Sequence, residues 1–281
     1  MQSLSRVAEG LVRAGAGDTL NWHDVVLSSH FQPIFAVRSA SCTGFEALIR
    51  PVTAAGRVVR PEALFAEAVA AGDNVLLDWI CRALHLRSFA RVDPGDRSLF
   101  INVHPEAAVK ESDGATDLDH LIRYYGLTPR RLCVEILEDG CSDEGLLREA
   151  AGIYRQLGVR IAMDDFGLGR SNFDRLVALR PDVVKIDRSI LIDAVGDSKA
   201  RRLLPGIIEL LHESGALVAI EGIESANEAL IAIDSGADLL QGYHFAPPSA
   251  ALAAVSLSAR MLGKLVRMST APAPLGAVGD D

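Results

Sequence analysis

The chain has 281 residues, 49% hydrophobic and 23% charged, with a formal net charge of -9. This is ordinary globular composition, enough for one α/β barrel of about 250 residues. An acidic chain does not hold long nucleic acid through bulk electrostatics, so an anionic substrate would need bound cations or a few placed Arg and Lys side chains. The four cysteines, Cys42, Cys81, Cys133 and Cys141, form no C-x-x-C pair. They read as reduced thiols of a cytoplasmic protein and not as a disulfide or zinc framework. The N-terminus lacks the apolar core of a signal peptide, and no apolar run is long enough for membrane insertion.

In chain order, Leu4, Val7, Ala8, Leu11 and Val12 recur at helical spacing, which predicts a short amphipathic helix over 1–15 within an N-terminal segment 1–24. Gly15, Gly17 and Asp18 break it. Two β-rich runs follow at 30–38 and 42–50, then helical runs at 61–72 and 74–90. Strand 98–104 precedes a helix near 118–126. Strand and helix then alternate: 131–137 with 143–158, 159–165 with 171–179, 182–186 with 199–214, 216–222 with 226–236, and 237–243 with a last helix near 250–268. Pro205 falls inside the helix at 199–214, where it would kink it. Residues 269–281 have Pro, Gly and small side chains without period and read as a disordered tail.

Strands separated by helices argue for βαβ units and a parallel sheet. The first two strands are joined by too few residues for a parallel crossover, so one of them is reversed. The prediction is a TIM-like (β/α)8 barrel over 25–268 with one antiparallel strand. An open doubly wound sheet is disfavoured, because no G-x-G-x-x-G follows the first strand.

The apolar runs share one feature: each finishes on a polar side chain suited to metal binding or acid–base work. These are Glu46, Asn102, Glu135, Asp164 with Asp165, Lys185, Glu221 and Gln241. In a barrel, the C-terminal strand ends form one ring around the active-site mouth. Any one of them is ordinarily a helix cap or a solvated charge. As a set they are costly to bury unless cations neutralise them. Oxygen donors without a Cys or His cluster favour Mg²⁺ or Mn²⁺ over zinc. One carboxylate of the Asp164-Asp165 pair could bridge two ions, an arrangement suited to phosphodiester cleavage. Lys185, inside an apolar run, suits charge stabilisation at the mouth; the plainer alternative is a structural salt bridge.

These residues sit in an ordered series of motifs: FQPI at 31–34, GFEALIR at 44–50, FINV at 100–103, VEILE at 134–138, DDFGLG at 164–169, KIDRS at 185–189, EGIE at 221–224 and QGYHFAPP at 241–248. The series resembles the EAL-domain family of cyclic di-GMP phosphodiesterases, named for the Glu46-Ala47-Leu48 triplet, and it covers the whole barrel in order. The resemblance implies Mg²⁺- or Mn²⁺-dependent cleavage of one phosphodiester bond of cyclic di-GMP to linear pGpG, in a cytoplasmic signalling enzyme that forms a homodimer. By the same resemblance, Glu46, Asn102, Glu135, Asp164, Asp165 and Glu221 would ligate two metal ions. Lys185 would position the attacking water and Glu221 would act as its base. Arg50, Leu48 and Gln241 would meet the substrate, Gln241 also ordering the water network. Glu138 would anchor the loop after Asp165.

The chain departs from the family's usual DFGTGYSS at this loop, with Leu168 for a threonine and Arg170 for an aromatic residue. That change is the main support for an alternative, a weak or inactive module that binds cyclic di-GMP or a partner without turnover. An unrelated metal-dependent barrel enzyme would also use Lys and carboxylates around Mg²⁺, but it does not account for the ordered motifs.

Overall fold

The structure is a computed structural model that describes residues 11–14, 17–93, 95–105, 109, 114–136, 144–168, 172–251 and 255–269. Its strands are β1 (Leu11–Ala14), β2 (Gly17–Trp22), β3 (Val25–Ala36), β4 (Ser41–Thr53), β5 (Ser98–Val103), β6 (Leu132–Ile136), β7 (Arg160–Phe166), β8 (Val183–Ile186), β9 (Leu217–Ile220) and β10 (Leu239–Leu240). Its helices are α1 (Pro61–Ala71), α2 (Asn74–Val92), α3 (Gly114–Tyr124), α4 (Glu144–Gln156), α5 (Asn172–Leu179), α6 (Arg188–Gly196), α7 (Ser198–Glu213), α8 (Ala226–Asp234) and α9 (Val255–Met268). The strand order is β1-β2-β3-β10-β9-β8-β7-β6-β5-β4, and β3 also pairs with β4. From β3 round to β4 this is a closed circuit of eight strands, the TIM-like barrel that the alternation predicts. The reversed strand is β3: it runs antiparallel to β10, whereas β9 is parallel to β10.

The chain divides into two compact units. The first falls within Met1–Phe31, Phe45–Arg160 and Pro248–Ala253. In it β5 and β6 run parallel, with Asn102 the register partner of Glu135. The inner aromatic contacts join Phe89 of α2 to Phe31 and Phe45, at ring separations of 5.8 and 6.1 Å. Burial of these rings and of the aliphatic face of α2 is the main stabilising term here. Two buried aspartates are each met by two arginines: Asp18 by Arg87 and Arg91, and Asp93 by Arg97 and Arg131.

The N-terminal segment differs from expectation. Leu11 and Val12 lie in a strand and not in a helix: β1 pairs antiparallel with β2, Leu11 opposite Leu20 and Ala14 opposite Gly17. β2 in turn pairs with β3 through the turn at His23-Asp24, where His23 adopts φ 52°. Ladder bonding to a preformed neighbour outweighs a weak helical spacing. The rest of the predicted helix, 1–10, lies outside the described residues, as do 270–281 of the predicted tail.

The second unit falls within Gln32–Gly44, Ile161–Pro247 and Ala254–Asp281. β8 and β9 are parallel in continuous register, Val183 opposite Leu217 and Ile186 opposite Ile220. Met163, Val184, Val218 and Leu240, on the sheet face opposite Lys185, are fully buried. The helix α7 runs through Pro205 without interruption. A helix that the sequence pattern does not predict, α6, follows β8 directly, its start capped by Asp187, whose carboxylate accepts the Ser189 N–H at 2.8 Å.

Candidate active site

The first unit holds three of the predicted ligands. On β4 the side chains alternate: Phe45, Ala47 and Ile49 are buried on one face, so Glu46, Leu48 and Arg50 share the other. Glu46 is itself only 7% exposed. The Asn102 amide Nδ2 donates to Glu46 Oε1 at 3.5 Å. Beside Asn102 on the same sheet face stands Glu135, at 0% exposure. A carboxylate in that position is costly without compensating donors or cations. Arg50 is half-buried and donates from Nη1 to the Ile49 carbonyl oxygen at 3.0 Å. Leu48 is partly exposed beside it.

The second unit is arranged around a buried ammonium. Lys185 is 1% exposed, and its Nζ lies 3.2 Å from Asp164 Oδ1 and 2.5 Å from Glu221 Oε1. Strand register explains the grouping. Lys185 is paired with Ala219, so Glu221, two residues on, projects from the same face. On the other side, Met163 pairs with Val184 but Phe166 pairs with Ile186. β7 thus carries one extra residue between these pairs, a bulge at Asp164-Asp165. Asp165 takes a left-handed conformation, φ 56°, and its carbonyl accepts the Leu168 N–H at 3.1 Å. The bulge is what lets two consecutive aspartates depart from strict alternation. Asp165 is exposed, yet partial desolvation of its carboxyl and then the adjacent Asp164 charge push its pKa above the usual carboxylate range, opposed by Lys185.

Gln241, 3% exposed, follows β10 and donates from Nε2 to Gln32 Oε1 at 3.2 Å, while Gln32 donates to the Ala246 carbonyl at 3.3 Å. Gln32, within the FQPI run, is a residue of this group that the sequence pattern does not mark. A polar residue inside an apolar strand was the available signal. Gly242 is fixed by contact: a Cβ there would meet the Ile223 backbone oxygen at 2.1 Å. That close approach lets Ile223 N–H bond the Gln241 carbonyl at 3.0 Å and ties the loop after Glu221 to the loop after Gln241.

The structure therefore brings together Glu46, Asn102 and Glu135 in the first unit, and Asp164, Lys185 and Glu221 in the second. Among the described residues, no three His, Cys, Asp or Glu side chains are drawn together as a metal-ion cage. Glu138, the expected loop anchor, lies outside the described residues. No helix of the described residues is long and apolar enough to cross a membrane.

Comparison with known proteins gives one consistent result. A family model described as "EAL domain" matches residues 23–248. The cyclic di-GMP phosphodiesterase NbdA of Pseudomonas aeruginosa is 28% identical over 80% of this chain and 29% of its own. Among solved structures, the FimX EAL domain of Pseudomonas aeruginosa bound to c-di-GMP aligns with a TM-score of 0.73 at 25% identity, covering 81% of this chain and 93% of that one. BlrP1 of Klebsiella pneumoniae in complex with manganese and cyclic di-GMP aligns with a TM-score of 0.70 at 26% identity, over 79% and 56%. The chain spans about a third or less of the length of the curated relatives it matches first.

Proposed function

The chain belongs to the EAL domain family, and from that premise we propose that it hydrolyses one phosphodiester bond of cyclic di-GMP to linear pGpG in the presence of Mg²⁺ or Mn²⁺. The observation that carries this reading is Lys185: a buried ammonium held by Asp164 and Glu221 at the C-terminal ends of parallel strands. Ionisable groups gathered in this way belong to sites more often than to cores.

The donor set fits hard divalent cations, because all its members present oxygen and none is Cys or His. By the family resemblance, Glu46, Asn102, Glu135, Asp164, Asp165 and Glu221 would hold them. When bound, such ions supply Lewis-acid polarisation of the phosphodiester and a lowered pKa for water. Lys185 offers a fixed positive charge to the phosphate oxygens as negative charge develops, with no reorganisation needed at that moment. Glu221 accepts the proton of the attacking water, from a position fixed by its contact with Lys185. Water adds to phosphorus, the bond from phosphorus to the 3′ oxygen breaks, and a 5′-phosphate and a 3′-hydroxyl result. Arg50 suits a phosphate oxygen, which a guanidinium binds well. Leu48 beside it and Gln241 complete the substrate contacts. Cytoplasmic location and a homodimer are part of the same reading. Exposed Leu168, Phe173 and Ile192 on the second unit support the latter.

Binding without turnover is the second reading. Leu168, 45% exposed just past Asp165, favours it, because a hydroxyl is expected there by resemblance. Incubation of purified protein with cyclic di-GMP and Mn²⁺ or Mg²⁺, followed by chromatography, separates the two. Linear pGpG is the expected product, whereas tight binding with intact cyclic substrate establishes the second reading. Ca²⁺, whose coordination is longer and looser, is expected to inhibit.

A further inference from the structure

A buried ion pair in the first unit has no role in the chemistry just described. Asp78 and Arg82 stand one turn apart on α2, at 3% and 1% exposure, and their side chains are in direct contact. The Arg82 guanidinium also lies over the Trp79 ring, 4.9 Å from its centroid, so it is held on two sides. Stability does not explain such a pair. Taking both charges out of water costs several kcal/mol, and a well-packed apolar pair of similar volume is often as stable or more so.

The other contact of Asp78 does suggest an explanation. Its Oδ1 accepts the backbone N–H of His104 at 3.1 Å. His104 is the first residue past β5, whose ladder with β6 ends at Val103, and it lies two residues after Asn102. The strand end that carries Asn102 is thereby tied to a rigid helix at the point where ladder bonding stops. Asn102 in turn bonds Glu46, so a shift of this strand end would displace one proposed ligand and disturb a second.

We propose that Asp78 is a positioning residue for the Asn102 strand end, acting through the His104 backbone, and that Arg82 is retained to orient the Asp78 carboxylate toward that N–H. This rests on the metal-binding reading of Asn102 and Glu46. Arg82, buried and stacked, fixes one carboxylate oxygen and so turns the other toward His104. The expected consequence is a weaker hold on divalent cations once the acceptor is lost, of the size seen when groups behind a ligand are removed, about 10–100-fold.

The test compares two double variants with wild type. Asp78→Leu with Arg82→Met removes charge and acceptor together and keeps apolar volume. Asp78→Asn with Arg82→Met removes the charges but keeps a side-chain carbonyl oxygen for the His104 N–H. Folding is read by thermal unfolding, and Mn²⁺ affinity by spectroscopic titration of the substrate-free protein. The Leu/Met protein is expected to melt at or above the wild-type temperature and to bind Mn²⁺ about 10–100-fold more weakly. The Asn/Met protein is expected to bind close to wild type. Equal Mn²⁺ affinity in wild type and the Leu/Met protein would overturn the inference, as would an equal loss in both variants. Should Leu at 78 prevent folding, Asp78→Ala with Arg82→Met gives the same comparison with less bulk. A wild-type protein that binds no Mn²⁺ would instead overturn the proposed function, and this inference with it.

Discussion

The two units handle buried charge in different ways. In the first, Glu46 and Glu135 sit at 7% and 0% exposure, and the neutral Asn102 amide donates to Glu46 at 3.5 Å. In the second, Asp164 and Glu221 retain some exposure, and both touch the Lys185 ammonium. The second unit thus sets a protein cation directly against its acids. A carboxylate that meets a bound cation contributes to ligand binding. A group already compensated by Lys185 contributes to the fold as well.

The largest effect expected from this contrast is on turnover. Glu46→Ala should lower kcat/KM for cyclic di-GMP by about 10² to 10³-fold, the size found when a group that stabilises transition-state charge is removed, with little change in melting temperature. A variant with unchanged kcat/KM would break the comparison. Lys185→Met should behave differently, losing turnover and also about 3 kcal/mol of stability in urea unfolding, because Asp164 and Glu221 lose their buried counter-charge. A stability loss no larger than that of Glu46→Ala would show that the units do not differ in this respect. Smaller is the effect of Gly242→Ala. Its Cβ would collide with the Ile223 backbone, so a loss of about 2 kcal/mol is expected, and the thermal midpoint checks it.

The smallest effect is one of pH and lies in the first unit alone. His85 is fully desolvated by burial, with Arg50 adding to the same effect, and its pKa is lowered from 6.5 to about 3. Its ring bonds Ser29 at 2.7 Å. The unfolded chain takes up this proton first, so the stability from a neutral His85 is complete above pH 6.5 and is lost as pH falls from there toward about 3. The stability of wild type relative to His85→Gln should drop by about 1 kcal/mol between pH 7 and 5.5. Parallel curves for the two proteins would contradict this.

Much of the architecture is visible in the residues because apolar runs alternate with helical spacing, and a short connection forces one reversed strand. The ligand set is visible for the same reason: an acid or amide closing an apolar run stands out. The β1–β2 hairpin does not stand out, because no Asn-Gly or Asp-Gly dipeptide marks it and its apolar residues also fit a helix. The extra residue in β7 is equally hidden, since a bulge is a relation between two strands and not a property of Asp164-Asp165. Gln32 and Asp78 pass unnoticed because their roles lie in contacts with Gln241 and the His104 backbone, remote in sequence. Lys185 was legible as a site residue, but its two partners appear only when β7, β8 and β9 are in register.

The most direct test is calorimetric titration of the purified chain with Mn²⁺, alone and as Glu46→Ala and Asp164→Ala. The account predicts two ions per chain, with affinity or stoichiometry reduced by either substitution. Mn²⁺ binding unchanged in both variants would contradict it.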